Sequence, residues 1–162
     1  MNIFDILGPV MVGPSSSHTA GAVRIGYVAR TLLGERPVYA GIGLSGSFAA
    51  TGSGHSVKIQ ASSLGGGRIM IDRLDDTDVH CTGENPTLII RNQDSPGMVS
   101  KVTGILSRKN VNIATLQLYR DKKGGLAVMV IETDQPVAQD TVSVLEQMQG
   151  IERITYISGE EV

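Results

Sequence analysis

The second half of the chain is a series of short apolar stretches that alternate between strand and helix periods, and their order leaves few folds open. Thr87-Leu88-Ile89-Ile90-Arg91 reads as a strand. Ser95-Pro96 reads as a helix start, with Ser95 expected as N-cap and Pro96 at the first helical position. Val99, Val102, Ile105 and Leu106 then face one way. Asn110-Val111-Asn112 breaks that helix, and Ile113 to Leu118 is expected to be a strand. Lys122-Lys123-Gly124-Gly125 turns the chain into Leu126–Glu132, rich in Val, Met and Ile. Val137–Met148 gives a second helix through Val142, Leu145 and Met148, and Ile151–Ile157 closes as a strand. The order β-α-β-β-α-β is the ferredoxin-like arrangement.

Ahead of Gly83-Glu84-Asn85-Pro86 the segments are shorter and punctuated by glycine, which divides the chain into 1–83 and 86–162. Apolar residues alternate at 38, 40, 42 and 44, again at Val57, Ile59 and Ala61, and at Ile69 and Ile71 after the Gly65-Gly66-Gly67 turn. Ile25, Val28, Ala29 and Leu32 share one face of a helix expected from about Thr19 to Leu33, stopped by Gly34.

The net charge of −2, with no run of Lys or Arg, argues against a nucleic-acid binder. No apolar stretch approaches the ~20 residues that span a bilayer. The N-terminus lacks the positive n-region and apolar core of a signal peptide, so a cytoplasmic protein is expected. The one cysteine, Cys81, permits neither an internal disulfide nor a multi-thiolate metal site within one chain. Any such cluster must come from a partner. His80 is expected on a strand surface, and Cys81 as a small packing residue rather than a reactive thiol.

The most informative string is Gly13-Pro14-Ser15-Ser16-Ser17-His18-Thr19. It sets hydroxyls and an imidazole where backbone N–H groups at a helix start lack partners. Such a segment suits a carboxylate. A capping segment would be the plainer reading, but a cap needs one such residue rather than four with a histidine among them. The turn Asn92-Gln93-Asp94-Ser95-Pro96-Gly97 is a second candidate. Gly97 lets a carboxylate approach backbone N–H groups, and Asn92, Asp94 and Asn112 are placed for an ammonium or side-chain group. Ser95-Pro96 as a mere cap and Asn112 as a mere turn residue remain equally open.

Asn92 to Val99, followed by Asn110-Val111-Asn112-Ile113, resembles the ACT family over about Pro86 to Ile157. That resemblance implies pairing through sheets or helices, and amino-acid binding at the interface in some members. Gly13 to Thr19 running into Ala20-Gly21-Ala22-Val23-Arg24-Ile25-Gly26 resembles the beta domain of iron–sulfur L-serine dehydratases. Leu44-Ser45-Gly46-Ser47-Phe48-Ala49, Gly54-His55 and Leu64-Gly65-Gly66-Gly67 match further segments in order. The fold class expected is therefore α+β, a small N-terminal α/β active-site domain followed by a βαββαβ ACT domain.

The resemblance implies conversion of L-serine to pyruvate and ammonia by a [4Fe-4S] cluster held by three cysteines of an alpha subunit. One iron is left open as a Lewis acid on the departing hydroxyl. By matching positions, Ser15, Ser16, Ser17 and Thr19 would hold the substrate. His18 and His55 would stand near the reacting centre, with either able to do acid–base work. Members of that family carry a longer stretch between Gly-His and the strand leading to the triple glycine than the Ser56 to Ser63 present here. Two other functions remain open: an amino-acid-binding regulatory module without chemistry, and an anion-binding scaffold that needs no partner. A homodimer through the ACT half is also expected, since its Val/Ile/Met-rich sheet would otherwise leave an edge or face open. The chain alone, supplied anaerobically with iron and sulfide, is expected to develop no cluster absorbance and to release no pyruvate from serine. Turnover without a partner would refute the two-chain reading.

Overall fold

The computed structural model describes residues 16–43, 47–52, 54 and 56–159. Helix α1 (Ser16–Leu33) opens the described chain. A five-stranded antiparallel sheet follows in sequence order: β1 (Tyr39–Gly43), β2 (Ser47–Thr51), β3 (Ser56–Gly65), β4 (Arg68–Leu74) and β5 (Thr77–Cys81). The C-terminal half holds β6 (Thr87–Gln93), α2 (Met98–Arg108), β7 (Ile113–Arg120), β8 (Leu126–Thr133), α3 (Gln139–Glu146) and β9 (Ile151–Ile157). Its sheet order is β7-β8-β6-β9, all antiparallel, as the ferredoxin-like pattern requires.

Alternation along β3 buries Val57, Ile59 and Ala61 and leaves Lys58, Gln60 and Ser62 exposed, so this sheet has one dry face. Val28, Ala29, Leu32 and Leu33 of α1 pack on it. The approach is close because Gly21 has no side chain: a Cβ there would lie 2.5 Å from Ser63 Oγ. From Ser56 onward the chain is one strand, paired to β2 from Thr51↔Ser56 to Ser47↔Gln60 and to β4 with a register shift between Gln60 and Ala61.

The C-terminal sheet is dry on both faces. Leu88, Ile90, Met129 and Ile131 meet Met98, Val102, Leu106, Val142 and Leu145 of the two helices. On the opposite face Ile89, Val128, Val130 and Ile157 join the core made by α1 and the N-terminal sheet. That second contact covers the sheet face within the chain, so of the edge or face expected to stay open it is the edges, β7 and β9, that remain. At the seam Tyr119 Oη accepts the His80 N–H at 3.1 Å, and Arg24 donates to the Gly83 carbonyl at 2.9 Å.

Three helix boundaries shift. Helix α3 spans Gln139–Glu146 rather than Val137–Met148. Helix α1 begins at Ser16 rather than near Thr19, so the serine-rich string runs into the helix itself. Helix α2 begins at Met98, with Gly97 as N-cap at φ 83°, ψ −4° and no side-chain cap. The Met98 N–H donates to Ser95 O at 3.3 Å. Ser95-Pro96-Gly97-Met98 is therefore a type II turn, with Pro at the second position and Gly at the third, where φ must be positive. Ser95 and Pro96 serve that turn and not the cap.

Leu33 is fully buried in the core that both sheets share. Leu33→Ala is expected to cost about 2–5 kcal/mol, read as a lowered urea midpoint with one transition for both halves of the chain.

Candidate functional site

Helix α1 places Ser16, Ser17, His18 and Thr19 as its first four residues, the ones whose N–H groups have no intrahelical acceptor. No acidic side chain sits in that first turn to compete for the positive end of the helix dipole. Thr19 is exposed. The triple-glycine turn comes up beside this helix start: a Cβ on Gly67 would lie 3.5 Å from Ala20 Cβ. Two segments singled out in the sequence thus converge. The β1–β2 hairpin closes toward the same end of the sheet, through Gly43↔Ser47 and Ser47↔Gln60.

Ser15 and His55 lie outside the described residues. Gly54, however, is described, and its N–H donates to Glu35 Oε1 at 3.4 Å. Glu35 follows the C-terminus of α1, so Gly54 lies at the end of an 18-residue helix opposite Ser16, roughly 27 Å away at 1.5 Å per residue.

In the C-terminal half, Asn92, Asp94 and Gly97 come together in a cleft of about 460 Å³ with Met98, Thr103 and Leu118. Asn92 is 1% exposed, and its Nδ2 donates to Gln93 O at 2.8 Å while its Oδ1 has no hydrogen-bond partner. A buried acceptor left unmade costs about 1–3 kcal/mol, which a donor entering the cleft would recover. Asp94 is largely engaged by its own fold. Its Oδ2 accepts the Gly124 N–H at 3.0 Å and Arg120 Nη1 at 3.2 Å. The Gly124 N–H, followed by Arg120, holds the carboxyl below its ordinary pKa.

Asn112 is not in that cleft. Its Nδ2 donates to Asp134 Oδ2, and its N–H to Gln135 Oε1 at 3.3 Å, so it ties the start of β7 to the loop after β8. It lines an adjoining cleft of about 670 Å³, with Ser107, Asn110 and Ile113, which shares Ser100 and Thr103 of α2 with the first. The plainer reading, a turn residue, is the one its contacts support.

Cys81 is buried in the shared core, where desolvation, and secondarily the Glu132 charge, push its thiol up to about 12. It is a packing residue, as expected, and His80 is exposed on β5. Among the described residues, no group of three or more His, Cys, Asp or Glu is placed to hold a metal ion. No described helix is long and apolar enough to cross a membrane. Motifs do not point to Arg91 and Asp75, which bridge the two sheets, or to Arg153, which ties β9 to α1; lone charged residues give no local signal.

The family model of the serine dehydratase beta chain matches residues 2–83, and that of the ACT domain residues 86–150. This chain belongs to the serine dehydratase beta chain family. The probable L-serine dehydratase beta chain of Bacillus subtilis is 29% identical over 215 aligned residues, covering 97% of this chain and 98% of that one. The L-serine dehydratase beta chain of Peptoniphilus asaccharolyticus is 26% identical, covering 98% and 97%. Both alignments exceed the 162 residues here, so each relative carries residues that this chain lacks. A D-3-phosphoglycerate dehydrogenase of Synechocystis is 29% identical over 102 residues, covering 63% of this chain and 18% of its own length.

Because the Asp94 pKa is lowered by folding, its contact with the Gly124 turn is complete above the unfolded Asp value of about 3.9. It is lost as pH falls through the lower folded value. The Gly124 amide resonance is expected to titrate with a midpoint below that of a free Asp, and Asp94→Asn to abolish the titration.

Proposed function

We propose that this chain is the cluster-free subunit of an iron–sulfur L-serine dehydratase, completed by an alpha subunit that carries the [4Fe-4S] cluster. Together they convert L-serine to pyruvate and ammonia. The observation that carries the reading is the helix start at Ser16: four successive residues bearing hydroxyls or an imidazole, on unpaired backbone donors, beside the triple-glycine turn. A substrate carboxylate is the anion such a helix start accepts, with Ser15, Ser16, Ser17 and Thr19 as its donors. His18 is the histidine this geometry favours for proton transfer. Gly54, at the far end of α1, lends His55 no such support.

The residues of this chain do not fit the cluster. Cys81 is buried with a thiol that stays protonated near neutral pH, and a cluster needs thiolates. The cluster therefore falls to the alpha subunit, and this chain contributes binding and orientation of the amino acid. An apolar edge supports docking of a partner beside the site: Val38, Tyr39 and Ile42 on or next to β1 are 79%, 67% and 75% exposed.

The cleft at Asn92, Asp94 and Gly97 favours an amino-acid effector site in the ACT half, with Asn92 Oδ1 as the acceptor awaiting a donor. Homodimerisation is proposed through the β7 edge and the adjoining α2 surface, since the sheet face is covered.

Co-expression with a cysteine-bearing alpha chain and anaerobic assay of pyruvate from L-serine tests the proposal. Ser17→Ala and His18→Asn are each expected to lower kcat/KM by about 10²-fold or more without changing the urea midpoint. Unaltered kinetics in both variants would remove the helix start from the site. Sedimentation of the full chain is expected to give a dimer, and a monomer at micromolar concentration would exclude the pairing.

A further inference from the structure

Arg91 on β6 and Arg153 on β9 are register partners on the face of the C-terminal sheet that meets the N-terminal layer. Two cations directly opposite each other repel. Here each reaches a separate partner across the seam. Arg91 pairs with Asp75, a residue at φ 51° whose other oxygen accepts the Lys58 N–H at 2.8 Å. Arg153 Nη2 donates to Leu32 O at 2.5 Å and Leu33 O at 3.0 Å, the last carbonyls of α1, where a cation is favoured by the helix dipole. Gly34, at φ 75°, leaves it room: a Cβ there would lie 3.3 Å from that nitrogen.

Of these two strands, β6 borders the Asn92–Gly97 cleft, through Asn92. Asn92 follows Arg91, and the β6–β9 register slips at that step, from Arg91↔Arg153 to Asn92↔Ile151. The Gln93 N–H donates to Gly150 O at 2.8 Å. Met98, which lines the cleft, lies so close to Gly150 that a Cβ there would come within 2.7 Å of its methyl. A molecule that donates to Asn92 or displaces Met98 therefore bears on the chain one residue from Arg91 and three from Arg153.

We propose that Arg153, supported by Arg91, is the positioning residue through which occupancy of the Asn92–Gly97 cleft by an amino acid shifts α1 and so the Ser16–Thr19 helix start. The proposal rests on the effector reading of that cleft. Because α1 is one continuous helix, a change at its last turn is delivered to its first.

The test is hydrogen exchange of the full chain with and without L-serine, read at the amides of residues 30–34, beside calorimetric binding. In the unmodified chain L-serine is expected to slow exchange there about threefold or more, within the range of local opening energies. Arg153→Met is expected to bind L-serine within about twofold of the unmodified affinity but to lose the response, since coupling and binding are separable free energies. Arg153→Lys keeps the charge and a shorter donor, guards against loss of folding, and is expected to give a reduced response. Full response in either variant would overturn the proposal, as would binding without any change at 30–34 in the unmodified chain. Asn92→Leu, made in a Ser17→Ala background so that the helix start does not contribute to binding, separates the two readings. If L-serine binds that variant unchanged, the cleft is not the effector site and both fall; if binding is lost, a failure at 30–34 belongs to Arg153 alone.

Discussion

The two-sided burial of the C-terminal sheet is the contact on which the remaining structure depends. Ile89, Val128, Val130 and Ile157 fill the space under Leu33, Val57, Val79 and Cys81, so both halves share one core. Burial of this kind stabilises by about 25 cal/mol for each Å² of apolar surface removed from water. Neither layer retains that contribution alone: the N-terminal sheet has a single dry face, and without the second sheet part of it would be wet. The polar contacts at the seam then fix how the layers are oriented. Tyr119, Arg91 and Arg153 each reach across it to a backbone group or a carboxylate.

That arrangement connects the two candidate sites. Helix α1 carries the candidate anion site in its first turn, and Arg153 of β9 holds the carbonyls of its last. The pairing neighbour of β9, strand β6, borders the Asn92–Gly97 cleft. A regulatory domain on a flexible linker could influence its neighbour only by docking and undocking. Here packing is continuous from the cleft to the helix start, so small shifts have a path. The one cysteine of the chain is buried in the shared core, and its thiol stays protonated near neutral pH.

Much of the fold was legible. The βαββαβ order, the Gly65–Gly67 and Lys122–Gly125 turns, and the buried faces of α2 and α3 follow from periodicity and turn chemistry. The start of α2 was misjudged because Ser-Pro suits both a cap and a type II turn. Only the positive φ of Gly97 distinguishes them. Asn112 matches Asn92 in residue type as a partner for an ammonium, yet its side chain is spent on Asp134.

By itself the sequence determined the elements, their faces, and the serine-rich helix start, since each depends on residues within a turn or two of one another. One long-range signal was also present and went unread: Leu88-Ile89-Ile90 and Ala127 to Ile131 are unbroken apolar runs, as strands dry on both faces require. Only the tertiary structure decided what covers the second face, which carbonyls Arg153 caps, and that Gly67 stands beside Ala20 while Gly54 stands at the other end of α1. These are contacts between residues tens of positions apart, set by sheet registers and a shared core. No local pattern of side chains encodes such contacts, because they exist only once the layers have packed.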